Sequence, residues 1–274
     1  MFGELLARVR ESAPLVHCIT NIVTVNDCAN VLLACGASPI MAEAPEEAAA
    51  ITARSDGLVL NLGTLRAEKI PAMLASGREA NGRGIPVVLD PVGVGASPWR
   101  MEAALRLLRE IRFTVIRGNA AEIRALAGAF TPAAGDAPQE KGVDAGDAPR
   151  GVSPAAARTL AARTGAAVAL TGETDLVADG DTLYRLHNGH PLMRRVTGAG
   201  CQLSALTGAF VAANRTSPAA AAAAAVCALG LCGERAAARM GPQDGNASYR
   251  NYLIDAVFRL TPEDLEKGAR YEVC

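Results

Sequence analysis

The chain has almost no net charge, because 27 Lys and Arg face 28 Asp and Glu, leaving −1 over 274 residues. That balance excludes the broad positive footprint of a phosphate-backbone binder. Aromatic residues are only 4 % of the chain, and none is interleaved with a basic cluster, so a base-stacking surface is excluded as well. The cysteines are seven, an odd number without a repeated spacing, which excludes a disulfide framework. Cys18, Cys28, Cys35, Cys227 and Cys232 lie in apolar stretches and read as reduced, buried thiols. Met1 to Glu11 carries charges throughout and lacks a signal-peptide core. The longest apolar run, Pro218 to Gly233, is short for a bilayer and ends in Glu234-Arg235. The expectation is a soluble, cytoplasmic protein. No internal repeat or linker divides it, so residues 1–274 are expected to form one domain.

What is present is a strand–helix rhythm. Phe2 to Glu11 has helical spacing, and Pro14 to Asn21 is an extended stretch ending in polar groups. Val25 to Ala34 is expected to be a helix stopped by Gly36, Ala37 to Met41 an extended segment, and Pro45-Glu46-Glu47 the opening of another helix. Apolar runs at Leu58–Leu62, Ile85–Leu89, Phe113–Ile116 and Ala166–Leu170 predict strands. Helices are expected at 67–80, 99–110 and 120–127, with Asn81 to Gly84 a turn. Such strands argue for a mostly parallel α/β sheet covered by helices on both faces. Gly128 to Gly151 breaks the rhythm and reads as a mobile surface loop. Ser153 is expected to cap a helix reaching Arg163. Leu176–Ala178 and Leu183–Leu186 flank Asp179-Gly180-Asp181 as a hairpin. Pro218 to Arg239 is an alanine-rich helix, and terminal helices are expected from Tyr249 onward.

The chemistry gathers at a glycine turn. Val196-Thr197-Gly198-Ala199-Gly200-Cys201 runs directly into an apolar helix-forming stretch. A turn of this kind leaves N–H groups of Gly198, Ala199 and Gly200 at the positive end of a helix, where an anion such as phosphate binds; it also serves as a plain sharp loop. In open parallel sheets the ligand lies beyond the carboxyl ends of the strands. Those ends carry Asn61-Leu62-Gly63-Thr64, Asp90, Arg117-Gly118-Asn119 and Thr171-Gly172. This set suits a nucleoside triphosphate and its metal better than a dinucleotide. Asp90 directly follows an apolar strand, as a site carboxylate would, and magnesium takes one or two carboxylates with waters and phosphate oxygens. Glu122 fits two roles equally: the second metal carboxylate, or the N3 partner in a capping arrangement begun by Asn119.

Cys201 sits where an incoming hydroxyl could lose its proton, at a helix start that lowers a thiol pKa; a packed cysteine without chemical role is the other reading. His17 reads as a hydrogen-bonded core or rim histidine. His187-Asn188-Gly189-His190 lacks the spacing of a zinc motif. The turn is not followed by Lys-Ser/Thr, so it is not a P-loop, and it does not open a dinucleotide fold.

Taken together, these motifs resemble the hydroxyethylthiazole kinases, ribokinase-like members of the thiamine pathway. The matching text includes Pro14–Asn21, Leu33–Met41, Asn61–Leu65, Leu89–Gly95, Ile116–Glu122, Lys141–Asp144, Leu170–Glu173 and Val196–Cys201. The resemblance implies a ribokinase-like fold and transfer of a phosphoryl group from ATP, with Mg2+, to the hydroxyl of 4-methyl-5-(2-hydroxyethyl)thiazole. It also implies a homotrimer with active sites between subunits. By position, Met41 and Gly198 would contact the thiazole with Asn21 nearby, Arg117 and Thr171 the ATP, and Asp90 and Glu122 the magnesium. Cys201 stands where many superfamily relatives carry an aspartate base. The family's Gly-Pro-Gly-Ser-Phe segment is replaced here by Gly241-Pro242 and Gln243 to Tyr249, and Thr131 to Glu140 has no clear counterpart. Rival readings are a kinase for another small alcohol such as a hydroxymethylpyrimidine, a nucleotide-dependent dehydratase of hydrated nicotinamide cofactors, and a non-catalytic thiamine-precursor binder.

Overall fold

In the computed structural model, residues 1–130 and 154–274 are described. The strands are β1 (Leu15–Ile19), β2 (Ser38–Ile40), β3 (Gly57–Asn61), β4 (Val87–Asp90), β5 (Val115–Asn119), β6 (Ala167–Thr171), β7 (Asp175–Ala178), β8 (Leu183–Leu186) and β9 (Tyr271–Val273). Among the described residues they form one sheet in the order β2-β1-β3-β4-β5-β6-β7-β8-β9. Pairing is parallel from β2 through β6 and antiparallel from β6 to β9. All residues of β3 and β4 are buried. That is why these strands read as unbroken apolar runs rather than as alternating ones.

Helices cover both faces: α1 (Phe2–Ser12), α2 (Val25–Cys35), α3 (Ala48–Thr52), α4 (Lys69–Arg83), α5 (Pro98–Glu110), α6 (Ala120–Ala129), α7 (Ala155–Thr164), α8 (Ala199–Ala213), α9 (Pro218–Arg239), α10 (Asn246–Arg259) and α11 (Pro262–Gly268). One apolar cluster gathers α1, α2, α8, α9 and α10 on one side of the sheet, and a second gathers α4 to α7 on the other. Gly36 ends α2 at φ 95°, a left-handed conformation that glycine adopts without a Cβ clash. Helix α9 has the length and apolarity to cross a membrane, but 83 % of its apolar window is buried within the protein. It is a core helix.

Strand order places the site. From β1 the chain steps outward through α2 to β2, then returns through α3 to β3 on the opposite side of β1. The direction of winding therefore reverses between β1 and β3. Their carboxyl ends open a crevice there, the usual ligand position of an open sheet.

The structure corrects several local expectations. Asn81 and Gly82 belong to α4, which continues to Arg83 and ends at Gly84 (φ 66°). Asn81 does not break the helix because its side chain bonds the backbone N–H and C=O of Arg112 instead. Residues 45–47 form a turn, and the helix after them is the short α3. The C-terminus is not helical throughout: Tyr271 stacks on Phe2 with ring centroids 4.3 Å apart, and β9 adds an antiparallel edge to β8. Helix α10 starts at Asn246, three residues before Tyr249. Strand β5 runs through Arg117 to Asn119, so those residues are fixed by the sheet and not by a loop. Ser153, Lys141–Asp144 and most of the 128–151 stretch lie outside the described residues; α6 itself reaches Ala129.

Candidate functional site

At the β1/β3 crevice, two buried asparagines converge on the thiol of Cys201. Asn21 follows β1 and Asn61 ends β3. Asn21 Nδ2 donates to Cys201 Sγ at 3.0 Å and to Asn61 Oδ1 at 3.2 Å. Asn61 Nδ2 donates to Cys201 Sγ at 3.3 Å and to Asp90 Oδ2 at 2.7 Å. Asn21 Oδ1 accepts the Thr24 N–H at 3.1 Å, which holds the loop leading into α2.

One strand further, Asp90 ends β4 with no exposed surface. Its Oδ2 accepts from Asn61 and from Ser204 Oγ (2.7 Å), whereas Oδ1 has no hydrogen-bond partner. The nearest cation to Oδ1 is Arg117 Nη1 at 4.0 Å. Arg117, on β5, donates through Nη2 to Thr171 Oγ1 at 2.8 Å. Thr171 is the last residue of β6, paired in register with Asn119. Glu122 takes the capping role, one of its two readings, in a capping box with Asn119: its Oε2 accepts the Asn119 N–H at 2.8 Å. Its other oxygen accepts the Gly93 N–H at 2.9 Å, which ties the loop after Asp90 to the start of α6.

The glycine turn closes over these groups. Gly198 is the N-cap of α8 at φ 82°, and a Cβ there would come 2.2 Å from Thr24 Cγ2. Two independent constraints thus require glycine at 198. Among the described residues, the N–H groups of Gly200 and Cys201 have no protein acceptor, and Ala199 N–H makes only a long 3.4 Å bond to Val196. The start of α8 therefore carries free donors, with Gly200 packed against the Arg117 guanidinium.

Electrostatics sharpen the roles and correct one of them. Burial pushes Asp90 up to about 6, with Arg117 pulling it down and Glu122 pushing it further up. Asp175, at the start of β7, is also pushed by burial to about 6, although it accepts the Gly172 N–H. The Cys201 thiol is not lowered by its helix start. Burial and the neighbouring Asp90 raise it, against the opposing hydrogen bonds from Thr24, Asn61 and Asn21. Desolvating a thiolate beside a carboxylate outweighs the dipole of one helix turn.

The hydroxyethylthiazole kinase family model matches residues 6–263. The chain belongs to that family. It is 49 % identical to the hydroxyethylthiazole kinase of Clostridium acetobutylicum, over 99 % of each chain. The solved hydroxyethylthiazole kinase protein of Pyrococcus horikoshii OT3 is 36 % identical, with TM-score 0.85 over 100 % of this chain and 98 % of that one. The Staphylococcus aureus pyridoxal kinase in complex with pyridoxal shares the fold at 16 % identity, with TM-score 0.64 over 95 % and 97 % of the two chains. The fold is therefore ribokinase-like, and the chain is a kinase.

Within this kinase, Asn21, Asp90, Arg117, Glu122, Thr171 and the Gly198–Cys201 turn form one connected constellation. Met41 joins it only through the apolar cluster that also holds Cys28 and Cys201. His17 is a core histidine, bonded to Thr52 Oγ1 and the Ala42 carbonyl, and burial lowers its pKa. Among the described residues no three His, Cys, Asp or Glu side chains form a metal cage. The orphaned Asp90 Oδ1 nevertheless fits a cation that draws its other ligands from phosphate and water. Ser204 and Lys69 escape a sequence reading, because one lies inside an apolar helix and the other at the start of a half-buried one, where a lysine reads as a surface residue. The altered 241–249 segment builds the entry to α10, where Asn246 Nδ2 donates to the Arg195 carbonyl and Tyr249 OH to the Gly233 carbonyl.

Proposed function

We infer that this chain phosphorylates the hydroxyl of 4-methyl-5-(2-hydroxyethyl)thiazole from ATP, the reaction that places it in thiamine metabolism. The observation that carries this reading is the Cys201 thiol, held by two amides one strand away from the buried Asp90–Arg117 pair, within a full-length family match. The acceptor occupies the β1/β3 crevice, with Asn21, Met41 and Gly198 as its contacts. The phosphates lie against the free N–H groups of the turn, with Arg117 and Thr171 on their flank. Asp90 and Glu122 serve Mg2+, which when bound neutralises charge on the transferring phosphoryl group.

The protein's own part is positioning and charge neutralisation, the chief requirements of a loose phosphoryl-transfer transition state. Arg117 and the Ala199, Gly200 and Cys201 N–H groups supply fixed positive potential. Cys201 Sγ takes the alcohol proton only in its thiolate form, returning to the thiol, and because burial and Asp90 keep that form scarce its part as a base is small. One kinase domain, cytoplasmic and trimeric, completes the reading, with active sites between subunits. Ile22 and Val23, 73 % and 61 % exposed beside Asn21, support a partner surface at the mouth of the site. The six buried free thiols support a reducing compartment.

The test is ATP-dependent phosphorylation of the thiazole alcohol, run beside a hydroxymethylpyrimidine and hydrated NADH. Turnover of the thiazole is expected to dominate; its absence would overturn the assignment. Light scattering on the purified protein is expected to return three times the chain mass.

A further inference from the structure

Asn61 is 1 % exposed and has every hydrogen-bonding position in use. An asparagine side chain carries two N–H donors and two lone pairs. Both donors are taken, by Asp90 Oδ2 at 2.7 Å and Cys201 Sγ at 3.3 Å. Both lone pairs are taken too, by the Gly63 N–H at 2.8 Å and Asn21 Nδ2 at 3.2 Å. The orientation of the amide is not free. Gly63 N–H can only donate, so the oxygen must face it and the NH2 group must face the carboxylate and the thiol. Gly63 is shaped for this contact, since a Cβ there would come 2.9 Å from Asn61 Oδ1.

From this saturation we propose that Asn61 is a positioning residue for phosphoryl transfer. It couples the two halves of the site by fixing Cys201 Sγ and the Asp90 carboxylate relative to one another. With no valence left, it does not touch substrate. It acts through its neighbours: by occupying Asp90 Oδ2 together with Ser204, it leaves Oδ1 as the oxygen presented to the site. By donating to Cys201 together with Asn21, it helps set where the sulfur stands. Neither leucine nor aspartate can replace it, because the position needs donors and acceptors on one planar group. The inference rests on the site reading above, in which Cys201 and Asp90 serve the reaction.

The test is a kinetic cycle on the intact enzyme with Asn61→Ala, Cys201→Ala and the double variant, and with Asn61→Asp as a second probe. Asn61→Asp keeps the shape and the bonds from Gly63 and Asn21; its carboxyl shares a proton with Asp90 Oδ2, 2.7 Å away, and loses the donor to Cys201, so it tests the Cys201 arm of the coupling where the alanine variant folds poorly. Asn61→Ala and Asn61→Asp are each expected to lower kcat at least tenfold while KM for ATP and for the thiazole alcohol stays within threefold. In the Cys201→Ala background the Asn61→Ala loss is expected to shrink at least threefold, because part of its route is already gone. Equal losses in both backgrounds, or a loss confined to KM, would overturn the coupling and leave the site reading standing. Cys201→Ala indistinguishable from the parent would overturn the coupling together with the part given to Cys201.

Discussion

Arg117 lies directly across Gly200. A Cβ at position 200 would stand 2.6 Å from Arg117 Nη1 and 3.3 Å from its Cζ. The guanidinium is thus pressed against the backbone of the first turn of α8, while Nη2 is held by Thr171. The glycine at 200 serves the arginine and not the turn: Gly198 alone in the motif has the left-handed φ. Gly200→Ala should push the guanidinium off its Thr171 contact and away from Asp90. The expected result is a rise of roughly tenfold in KM for ATP, about 1.4 kcal/mol, with KM for the thiazole alcohol unchanged. Steady-state kinetics with each substrate varied in turn reads the difference.

The raised thiol of Cys201 sets a second expectation. A carboxylate at 201 would also be pushed up by burial and by Asp90, but it starts from about 4, well below the thiol's about 8.5, and stays ionised at neutral pH. Cys201→Asp is therefore expected to match or exceed the parent kcat near pH 7. Its acidic limb should lie at lower pH than the parent's. Cys201→Ala is expected to lose several-fold in kcat. If the alanine variant equals the parent across the pH range, the thiol handles no proton.

Much of this arrangement was legible in the residues. Parallel strands buried on both faces announce themselves as Leu58-Val59-Leu60 or Val87-Val88-Leu89, because no polar residue alternates within them. Polar groups at the ends of such strands, Asn61, Asp90, Arg117 and Thr171, then have one place to go. Two things were not legible. That Glu122 ties two segments together shows only in three dimensions, where one oxygen makes the cap and the other reaches the Gly93 N–H across 29 residues of chain. The direction of the Cys201 shift depends on how much protein surrounds the sulfur and on Asp90, which lies far away in sequence. The edge strand β9 was hidden for a similar reason: three residues show little periodicity, and the pairing with β8 and the Phe2–Tyr271 stacking that give them a home are both distant in sequence.

Asp90 links the site to stability. An aspartate carboxyl has an unperturbed value of 3.8, and burial lifts it here to about 6. The folded state thus binds the proton more tightly than the unfolded chain. Stability falls as pH rises from about 4 to about 6, and the ionised side chain costs the ligand-free fold on the order of 2–3 kcal/mol above that range. Asp90→Asn is expected to melt higher than the parent at pH 7 while being nearly inactive. The gap should narrow toward pH 4, where the folded parent's carboxyl is protonated and the unfolded chain's is about half so. Melting curves of both proteins from pH 4 to 7, without nucleotide, check the sign. A variant less stable than the parent at pH 7 would show that Arg117 outweighs desolvation.

Lys69 is the cation whose position is hardest to justify by stability. It is the first residue of α4, where the helix dipole disfavours positive charge, and its side chain is only 5 % exposed. Its ammonium donates to the Thr20 carbonyl at 3.0 Å and pairs with Glu43 Oε2 at 2.6 Å. Thr20 precedes Asn21, and Glu43 lies two residues beyond Met41, so one side chain ties together the two segments assigned to the acceptor. Lys69→Met removes the charge and keeps the length. Glu43 is not stranded by the change, since it is 47 % exposed and lies 3.4 Å from Arg66. Loss of a buried cation from a helix start offsets loss of the ion pair, so the melting temperature is expected to move by no more than about 3 °C. The acceptor pocket is where the change should register, as a KM for the thiazole alcohol raised roughly fivefold, about 1 kcal/mol, with KM for ATP constant. A melting temperature that drops sharply with an unchanged acceptor KM would make Lys69 a structural cation instead.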